Sequence, residues 1–571
     1  MYNFAPPNEN KMNQFALIEC VPNFSEGQDK TKIKQITDEI EKIDGVRLLD
    51  VDPGKATNRT VVTFVGHPEA VIEAAFWAIK KASEVIEMTK HTGKHPRMGA
   101  TDVCPLIPVS GISMAETSEY AHKLGKRVGE EINIPVFMYE SSAIIPERQN
   151  LANIRAGEYE GLASKLKDPS WYPDYGTNIF NVSSGATVIG ARDFLVAYNV
   201  NLNTTSVRRA NSVAFDVREN GRIKADDKGR NILDSDGIPV RIPGKCKYVK
   251  AIGWYIDEYG IAQISMNLTN INETPLHIAF DACCTSAGKR GMRVTGSELV
   301  GLVPKSVLID AGKYFLKKQK RSVGVSDLEL IHIAIKSLGL DELTPFDPFK
   351  KVIEYLLEDK TAKPLVQKSL ISFANETASE SPAPGGGSIS AYVGALGVSL
   401  GTMVANLSAQ KSGWEDKIDF FSSKAEEGQQ LKNDLLDLVD ADTIAFNKIM
   451  DALKMPKVSA SEKDARKLAL HHATIGAINI PLEVMKVAFK SMEILREMAE
   501  KGNPSSVSDA GVGALCVRTA IEGAALNVRI NCSGFDDKAF VADVLTKAED
   551  MLNRAKVAER EIISMVEKLI V

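Results

Sequence analysis

The sequence predicts a multidomain protein: two α/β (α+β) subdomains, with mixed sheets covered by helices, followed by an all-α helical bundle. Its 571 residues exceed what one hydrophobic core holds. Short apolar runs alternate with amphipathic stretches as far as about residue 357, whereas helical periodicity dominates after residue 365. We therefore predict a disordered tail at 1–14, α/β subdomains at 15–195 and 196–357, a linker at 358–364 and a helical domain at 365–571.

The first subdomain opens with a short apolar run that Pro22-Asn23 ends, which is typical of a strand followed by a loop. Isoleucines at helical spacing come next, and β-branched residues then predict further strands. In chain order we expect a strand at 16–21, a helix at 31–43, strands at 46–52 and 60–65, and a helix at 68–86.

The second subdomain repeats this pattern with fewer helices. Its predicted elements are a strand at 194–200, a hairpin of strands at 251–256 and 262–268, and helices at 303–315 and 328–338. Residues 220–247 are rich in Gly, Asp, Lys and Pro, which predicts a protruding excursion. The charged segment 358–364, stopped by Pro364, is the clearest linker.

Long helical periods at 418–455, 461–500 and 536–570 predict a bundle of antiparallel helices, the second of them broken at Pro481. Residues 389–407 are uncharged and about long enough to span a bilayer. This segment stands alone and is rich in glycine, without an aromatic belt or a strongly basic flank. We therefore expect a buried bundle helix rather than a membrane span.

Composition excludes several classes of protein. A formal net charge of −5 argues against bulk binding to nucleic acid. Seven scattered cysteines without a CxxC pair argue against a disulfide framework and against structural zinc. The N-terminus lacks the apolar core of a secretory signal, so we expect a cytoplasmic protein. We also expect that the protein needs no metal.

The stretch His91 to Gly99 is the most suggestive part of the first half, because His91, His95 and two basic residues gather in a loop. A histidine titrates near pH ~6.5 and can take and return a proton at neutral pH. Two alternatives stay open. The first is that His91 only balances the dipole at a helix C-terminus. The second is that the two histidines form a metal pair, for which no matching carboxylate is evident.

Three further features of the first half are candidate binding elements. Asp50 and Asp52 lie on the same side of a predicted strand, because side chains alternate along it. Arg59, which follows Asn58, suits the carboxylates of a dicarboxylic amino acid, and a structural ion pair is an equal alternative. The polar loop 176–185, placed before an expected turn at 190–192, would shape a ligand floor or serve as a connection only.

In the second half, a Pro- and Gly-rich turn at 382–388 leads into the glycine-rich helix. Its backbone N–H groups and the helix N-terminus would make an anion cradle, although a flexible joint is the alternative. Asp442 lies in a long helix close to its apolar side. It is a candidate for acid–base chemistry, and a solvated aspartate is the ordinary alternative.

These motifs carry a resemblance to two known families. The stretches 19–27, 57–60, 95–105, 155–160 and 296–304 look like the formiminotransferase family, and residues 383–388 with 439–442 resemble the cyclodeaminase family. In this order the chain resembles the bifunctional formimidoyltransferase-cyclodeaminases. The resemblance covers nearly everything from Phe15 onward.

The resemblance implies a bifunctional folate enzyme of histidine degradation, both a transferase and a lyase. N-formimino-L-glutamate would give its formimino group to tetrahydrofolate, and 5-formiminotetrahydrofolate would then cyclise to 5,10-methenyltetrahydrofolate with release of ammonia. Tetrahydrofolate would be the co-substrate, no membrane or nucleic acid would be bound, and a homo-oligomer built from dimers is expected.

The resemblance also assigns residues. The transferase histidine falls on His95 and the cyclodeaminase aspartate on Asp442. The folate loop comprises Gly176, Thr177, Asn178, Ile179, Phe180, Asn181, Val182, Ser183, Ser184 and Gly185. We add folate contacts at Gly385, Gly386, Gly387 and Ser388, and donor contacts at Asp52, Asn58 and Arg59. Two alternatives remain: a methenyltetrahydrofolate cyclohydrolase in the helical half, or a folate-binding protein with inactive sites.

Overall fold

A computed structural model describes residues 16–55, 57–93, 96–357 and 364–570. The predicted tail, most of the predicted linker and His95 lie outside the described residues. The described chain divides into two compact units. One lies within Met1–Val307 and Leu338–Leu356, and the other within Leu308–Ser337 and Leu357–Val571. Segment 308–337, which we had placed in the second α/β subdomain, thus packs with the helical residues. The domain boundaries from sequence stay predictions.

A mixed seven-stranded sheet forms the first half of the α/β unit. In chain order its strands are β1 (Leu17–Cys20), β2 (Asn23–Phe24), β3 (Val46–Gly54), β4 (Arg59–Gly66), β5 (Thr101–Ser110), β6 (Val136–Glu140) and β7 (Thr187–Ala191). β1 and β2 both lie between β4 and β5 and are antiparallel to them. β7 lies between β5 and β6 and is parallel to both, so the predicted mixed sheet is confirmed.

Helices cover this sheet on both faces. α1 (Lys30–Glu41), α2 (Pro68–Val85) and α3 (Met114–Arg127) bury their apolar sides with one face, where Ile18, Phe64 and Leu106 belong to a single core. α4 (Leu151–Arg155) and α5 (Glu158–Lys165) share a second core with Phe137 and Val188 on the other face. Because strand side chains alternate, each strand contributes to both cores.

The prediction of a turn at 190–192 is wrong. Gly190 and Ala191 lie inside β7, paired with Tyr139 and Glu140 of β6. A Cβ added at Gly190 would lie 2.3 Å from Tyr139 O, so this position admits only glycine because two strands pass close together. The glycine that suggested a turn is required by strand packing.

A four-stranded antiparallel sheet forms the second half of the α/β unit, in the order β11–β12–β8–β13. These strands are β8 (Val196–Leu202), β11 (Val249–Ile256), β12 (Ile261–Leu268) and β13 (Val294–Val300). α6 (Val207–Val217) and α7 (Leu276–Gly288) pack on it. The predicted hairpin is confirmed by the β11–β12 pairing. The excursion 220–247 is largely exposed and contains the short pair β9 (Arg222–Ile223) and β10 (Arg241–Ile242).

Helices α8 (Lys305–Lys318), α9 (Asp327–Leu338), α10 (Pro348–Lys351) and α11 (Ile353–Leu357) lead toward the second half of the chain. The helical unit itself continues with α12 (Leu370–Thr377), α13 (Gly386–Ala409), α14 (Ile418–Lys454), α15 (Ala460–Lys501), α16 (Val507–Cys532) and α17 (Lys538–Ile570). Side chains from α13 to α17 form one apolar core, which confirms the predicted all-α bundle.

Two features of the bundle bear on the predictions. The prediction of a helix break at Pro481 is wrong, because α15 continues past this residue as one 42-residue helix. Pro481 is buried beside Ile478 and Leu482, and this packing offsets the lost backbone hydrogen bond. Among the described helices, α13 alone is long and apolar enough to cross a membrane by length and composition, and 61% of its apolar window is buried inside the protein. Its glycines Gly394 and Gly397 are buried, as expected of a bundle helix.

Candidate active sites

The residues that follow position 95 contact two of the motifs noted in the sequence. The backbone N–H of Ser25 donates to Ala100 O (2.9 Å), and its hydroxyl donates to Gly99 O (2.7 Å). On the other side, the backbone N–H of Ala100 donates to Ser184 O (2.8 Å). The stretch 96–100 therefore joins the motif at 19–27 to the predicted folate loop.

Asn58 holds the stretch that precedes position 95. Its backbone adopts the left-handed conformation (φ 48°), which asparagine tolerates better than most residues. Its side-chain Oδ1 accepts from the Gly27 N–H (3.0 Å), and its Nδ2 donates to Thr92 O (2.8 Å). The backbone oxygen of Asn58 also contacts His91 Nε2 at 2.9 Å. The structure thus gives the Asn58 amide two protein partners, and its predicted contact with the donor stays a prediction.

The loop 176–185 is fixed at its end and exposed in its middle. The Gly185 N–H donates to Asn181 O (2.7 Å), and Gly185 has a positive φ of 69°. Ile179 and Val182 are 71% and 55% exposed, so two apolar side chains face solvent on an ordered loop. Such side chains are suited to pack against the flat face of a ligand.

Arg59 is a half-buried cation near the carboxylates of Asp102 and Asp52. Burial lowers its pKa to about 10, while the charges of Asp102 and Asp52 oppose that shift. Asp102 is fully buried at the start of β5 and forms a close ion pair with Arg155. The structure therefore brings the predicted residues Asp52 and Arg59 within electrostatic reach of each other, and it adds Asp102 and Arg155, which composition and spacing did not indicate.

Glu19 on β1 is a second group that sequence reasoning missed. It is 3% exposed, and burial raises its pKa from 4.5 to about 7, against the attraction of Arg192 and with the repulsion of Glu354. A carboxyl group of this kind takes up and releases protons at neutral pH. An isolated glutamate inside an apolar strand is the sequence signal that would have found it.

In the helical unit, Asp442 on α14 meets the start of α13. Its Oδ2 accepts from the Ser388 N–H (2.9 Å) and from the Ser388 hydroxyl (3.2 Å). A Cβ added at Gly387 would lie 2.2 Å from Asp442 Oδ1, so only glycine lets the carboxylate approach this closely. Two predicted features, 54 residues apart in the chain, therefore form one site.

The charge of Asp442 is subject to two opposing effects. Burial raises its pKa above 3.8 and is the larger effect, whereas the two hydrogen bonds from Ser388 lower it. The N-terminus of α13 also favours a negative charge here. The result is a half-buried carboxyl group whose pKa lies above its ordinary value.

Further polar and apolar groups surround this site. Asn527 of α16 lies beside Gly386, since a Cβ added there would be 3.2 Å from Asn527 Nδ2. A groove of about 650 Å³ lies between α14 and α15, and Asp442 is not among the residues that line it. Its polar lining residues are Lys448, Asp451 and His472.

Asp440, two residues before Asp442, has a structural role. It is 3% exposed, and its carboxylate accepts from the backbone N–H groups of Leu365 (2.9 Å) and Val366 (3.2 Å). It therefore fastens the first described residues of the helical half to α14. Within the described part of the chain, no group of three or more His, Cys, Asp or Glu residues is arranged to hold a metal ion. The expectation that no metal is needed stays a prediction.

Three family models match consecutive parts of the chain. Residues 17–192 match the N-terminal subdomain of the formiminotransferase domain, residues 197–358 match a model described as the formiminotransferase domain, and residues 369–550 match formiminotransferase-cyclodeaminase. The matched ranges include every residue assigned above to either site.

Known relatives agree with this order. The formimidoyltransferase-cyclodeaminase of Gallus gallus is 40% identical over 553 residues, which are 97% of this chain and 99% of that protein. The glutamate formimidoyltransferase of Streptococcus pyogenes is 42% identical over 301 residues, covering 53% of this chain and 93% of the relative. The methenyltetrahydrofolate cyclohydrolase of Methylorubrum extorquens is 33% identical over 199 residues, 35% of this chain and 96% of that protein. The chain belongs to the formimidoyltransferase-cyclodeaminase family.

Proposed function

We propose that the α/β unit transfers the formimino group of N-formimino-L-glutamate to N5 of tetrahydrofolate, and that the helical unit closes the product to 5,10-methenyltetrahydrofolate with release of ammonia. The observation that carries this proposal is the meeting of Asp442 with the turn Gly385–Ser388. It supplies a proton-carrying group beside backbone donors in the half of the chain that a formimidoyltransferase alone would lack.

In the transfer step, N5 attacks the formimino carbon, N5 loses a proton, and the nitrogen of glutamate leaves after gaining one. An imidazole at His95 is suited to accept the first proton and to supply the second. Arg59 offers a half-buried cation for a carboxylate of the donor, and the charges of Asp102 and Asp52 lie near it. The loop 176–185, with Ile179 and Val182 exposed, offers an apolar surface for the pterin.

In the cyclisation step, N10 attacks the formimino carbon, and the formimino nitrogen leaves as ammonia. The proton of N10 must move to that nitrogen, and one further proton must be supplied, because the product is a cation. Asp442 is suited to carry the N10 proton, since burial has already raised its pKa. When ionised, the same carboxylate stabilises the cationic product. The backbone donors around Gly385, Gly386 and Gly387 would hold an anionic or carbonyl edge of the folate.

The test uses the full chain and two assays. Purified protein is given N-formimino-L-glutamate and tetrahydrofolate, and glutamate release, ammonia release and the methenyl chromophore are followed together. A second reaction starts from supplied 5-formiminotetrahydrofolate. We expect turnover in both reactions. Absence of glutamate release would refute the transferase, and absence of ammonia release would refute the cyclodeaminase.

A second candidate concerns the helical half alone. The relative from Methylorubrum extorquens covers this half and is named a methenyltetrahydrofolate cyclohydrolase, which favours hydrolysis of the methenyl bridge as an alternative activity. The two are separated by adding 5,10-methenyltetrahydrofolate. Decay of the chromophore faster than in buffer, without ammonia release from 5-formiminotetrahydrofolate, would favour the cyclohydrolase.

We further propose that the protein acts in histidine degradation in the cytoplasm, as a homo-oligomer that binds neither membrane nor nucleic acid. All seven cysteines are free thiols, which suits a reducing compartment. On α13, Leu396, Met403 and Leu407 are 47%, 38% and 43% exposed and recur at intervals of seven and four residues. This apolar stripe carries no charge and supports association through a like surface of a second copy.

A further inference from the structure

The guanidinium of Arg97, two residues after position 95, forms hydrogen bonds with two glutamates. Its guanidinium donates from Nη2 to Glu160 Oε1 (2.6 Å) and from Nη1 to Glu160 Oε2 (2.8 Å) and Glu158 Oε2 (3.1 Å). Such two-point contacts fix both the position and the plane of the guanidinium. Both glutamates lie in the first turn of α5, where the helix dipole favours negative charge.

Arg97 also contacts His91, six residues earlier in the chain. Nε donates to His91 Nδ1 (3.2 Å), which therefore accepts, and the proton of the ring lies on Nε2. That nitrogen donates to Asn58 O at 2.9 Å. The two ends of the segment 91–97 are thus tied together by side chains, and they are tied to the turn that precedes β4.

Tyr159, between the two glutamates, holds both the 96–100 stretch and the predicted folate loop. Its backbone N–H donates to Arg97 O (2.9 Å). Its hydroxyl forms a close hydrogen bond with Val182 O, and its ring lies 5.4 Å from the ring of Phe180. One residue of α5 therefore contacts both segments that the transfer reaction has to align.

Arg155, at the end of α4, adds a fourth tie. It pairs closely with Asp102, whose Oδ1 accepts from the backbone N–H of Met98 (3.1 Å). The segment 155–160 therefore contacts residues 97–102 and 180–182 through one backbone N–H and four side chains, those of Arg155, Glu158, Tyr159 and Glu160. The proposed function gives none of these side chains a chemical role.

We propose that the segment 155–160 is the positioning element of the transferase site, with Arg97, Tyr159 and Glu160 as positioning residues that hold residues 96–100 in place relative to the loop 176–185. The inference rests on the proposed transfer reaction, whose two reactants must be aligned closely; a displacement of about 1 Å costs about 10²-fold in rate. A purely stabilising role is the competing explanation. The Arg97 side chain is 11% exposed and that of Glu160 65%. A purely stabilising role predicts that Arg97→Ala lowers the free energy of unfolding without lowering kcat in the folded protein.

The experiment measures kcat and KM for tetrahydrofolate in the full chain. We expect Tyr159→Phe to raise this KM about tenfold with kcat within about twofold, because the hydroxyl holds only the folate loop and one hydrogen bond is worth about that factor. Arg97→Ala should lower the transferase kcat about 10²-fold. Arg97→Lys should recover only a small part of the loss, because lysine keeps the charge but not the two-point contact.

The controls separate positioning from folding and from a wrong assignment. Glu130→Gln, which removes an exposed partner of Lys126 (4.0 Å), should leave kcat and KM within about twofold of the parent chain. Ammonia release from supplied 5-formiminotetrahydrofolate should be unchanged in every variant. Unchanged kinetics in both Tyr159→Phe and Arg97→Lys, with the parent chain active, would overturn the inference. An inactive parent chain would instead refute the proposed transfer reaction.

Discussion

The contact between Gly387 and Asp442 gives the sharpest test of the helical site. In Gly387→Ala the new Cβ would lie 2.2 Å from Asp442 Oδ1 and 2.6 Å from Oδ2, both far inside contact distance. The carboxylate therefore has to withdraw by roughly 1 Å, which in a catalytic site costs about 10²-fold in rate. The same movement weakens the two hydrogen bonds from Ser388, at 2.9 and 3.2 Å.

The fold should survive this change. Alanine favours a helix over glycine by up to about 1 kcal/mol, so the first turn of α13 does not lose stability through backbone preference. Gly476→Ala is the matched control, because Gly476 lies within α15 and nothing lies within 4 Å of its added Cβ. The assay is ammonia release from 5-formiminotetrahydrofolate, with glutamate release as the internal reference. A kcat/KM for Gly387→Ala within twofold of Gly476→Ala would refute the reasoning.

Further changes probe the other assignments. His95→Ala should abolish glutamate release and leave ammonia release from supplied 5-formiminotetrahydrofolate intact; equal loss of both would contradict a divided assignment. Asp442→Asn should lower ammonia release by about 10²–10⁴-fold and spare transfer, as two separate initial-rate assays would report. Burial raises the pKa of Glu19 to about 7, so ionising this carboxyl group costs more in the folded protein than in the unfolded chain. The free energy of unfolding should therefore be highest below pH 4.5 and fall as the pH rises toward 7. At pH 8 the free energy of unfolding of Glu19→Gln should therefore exceed that of the parent by up to ~3 kcal/mol, whereas at pH 4.5 the two should be equal. Denaturant titrations measure both values, and no difference at pH 8 would contradict this. Leu396→Glu should shift sedimentation toward smaller species if the stripe on α13 is an interface, and an unchanged profile would count against it.

Sequence patterns predicted the elements well where local chemistry decides them. The helix expected at 68–86 is α2, Pro68–Val85, because a proline fits the first helical position. The long periods predicted in the second half correspond to α14, α15 and α17, because their apolar residues repeat with the helical period over many turns.

The errors lie where tertiary packing decides the outcome. Pro481 suggested a break, yet burial on both sides keeps α15 continuous. Gly190 suggested a turn, yet it lies in β7 because β6 passes too closely for a side chain. Proline usually ends a helix and glycine usually forms a turn, but at both positions the neighbouring elements impose a different conformation.

The sites show the same division. Residue types and family resemblance indicated Asp442 and the turn Gly385–Ser388 separately, but no local pattern states that they touch across 54 residues. Likewise, Glu19 and the Arg97–Glu160 pair acquire their properties from burial and from partners about 60 or more positions away. Such contacts depend on topology, which a single sequence does not display.

The environment of Asp442 explains why this carboxylate suits a cyclisation better than a solvated one. A carboxyl group in water ionises near pH ~4 and cannot keep a proton long enough to return it to a leaving nitrogen. A carboxyl group buried without donors would stay neutral and could not accept one. At Asp442, burial raises the pKa while the Ser388 donors and the helix N-terminus keep the ionised form accessible, with burial the larger effect. Removing the Ser388 hydroxyl should therefore raise the pKa of Asp442 further, so Ser388→Ala is expected to move the rise of ammonia release with pH to higher pH while leaving the fold intact.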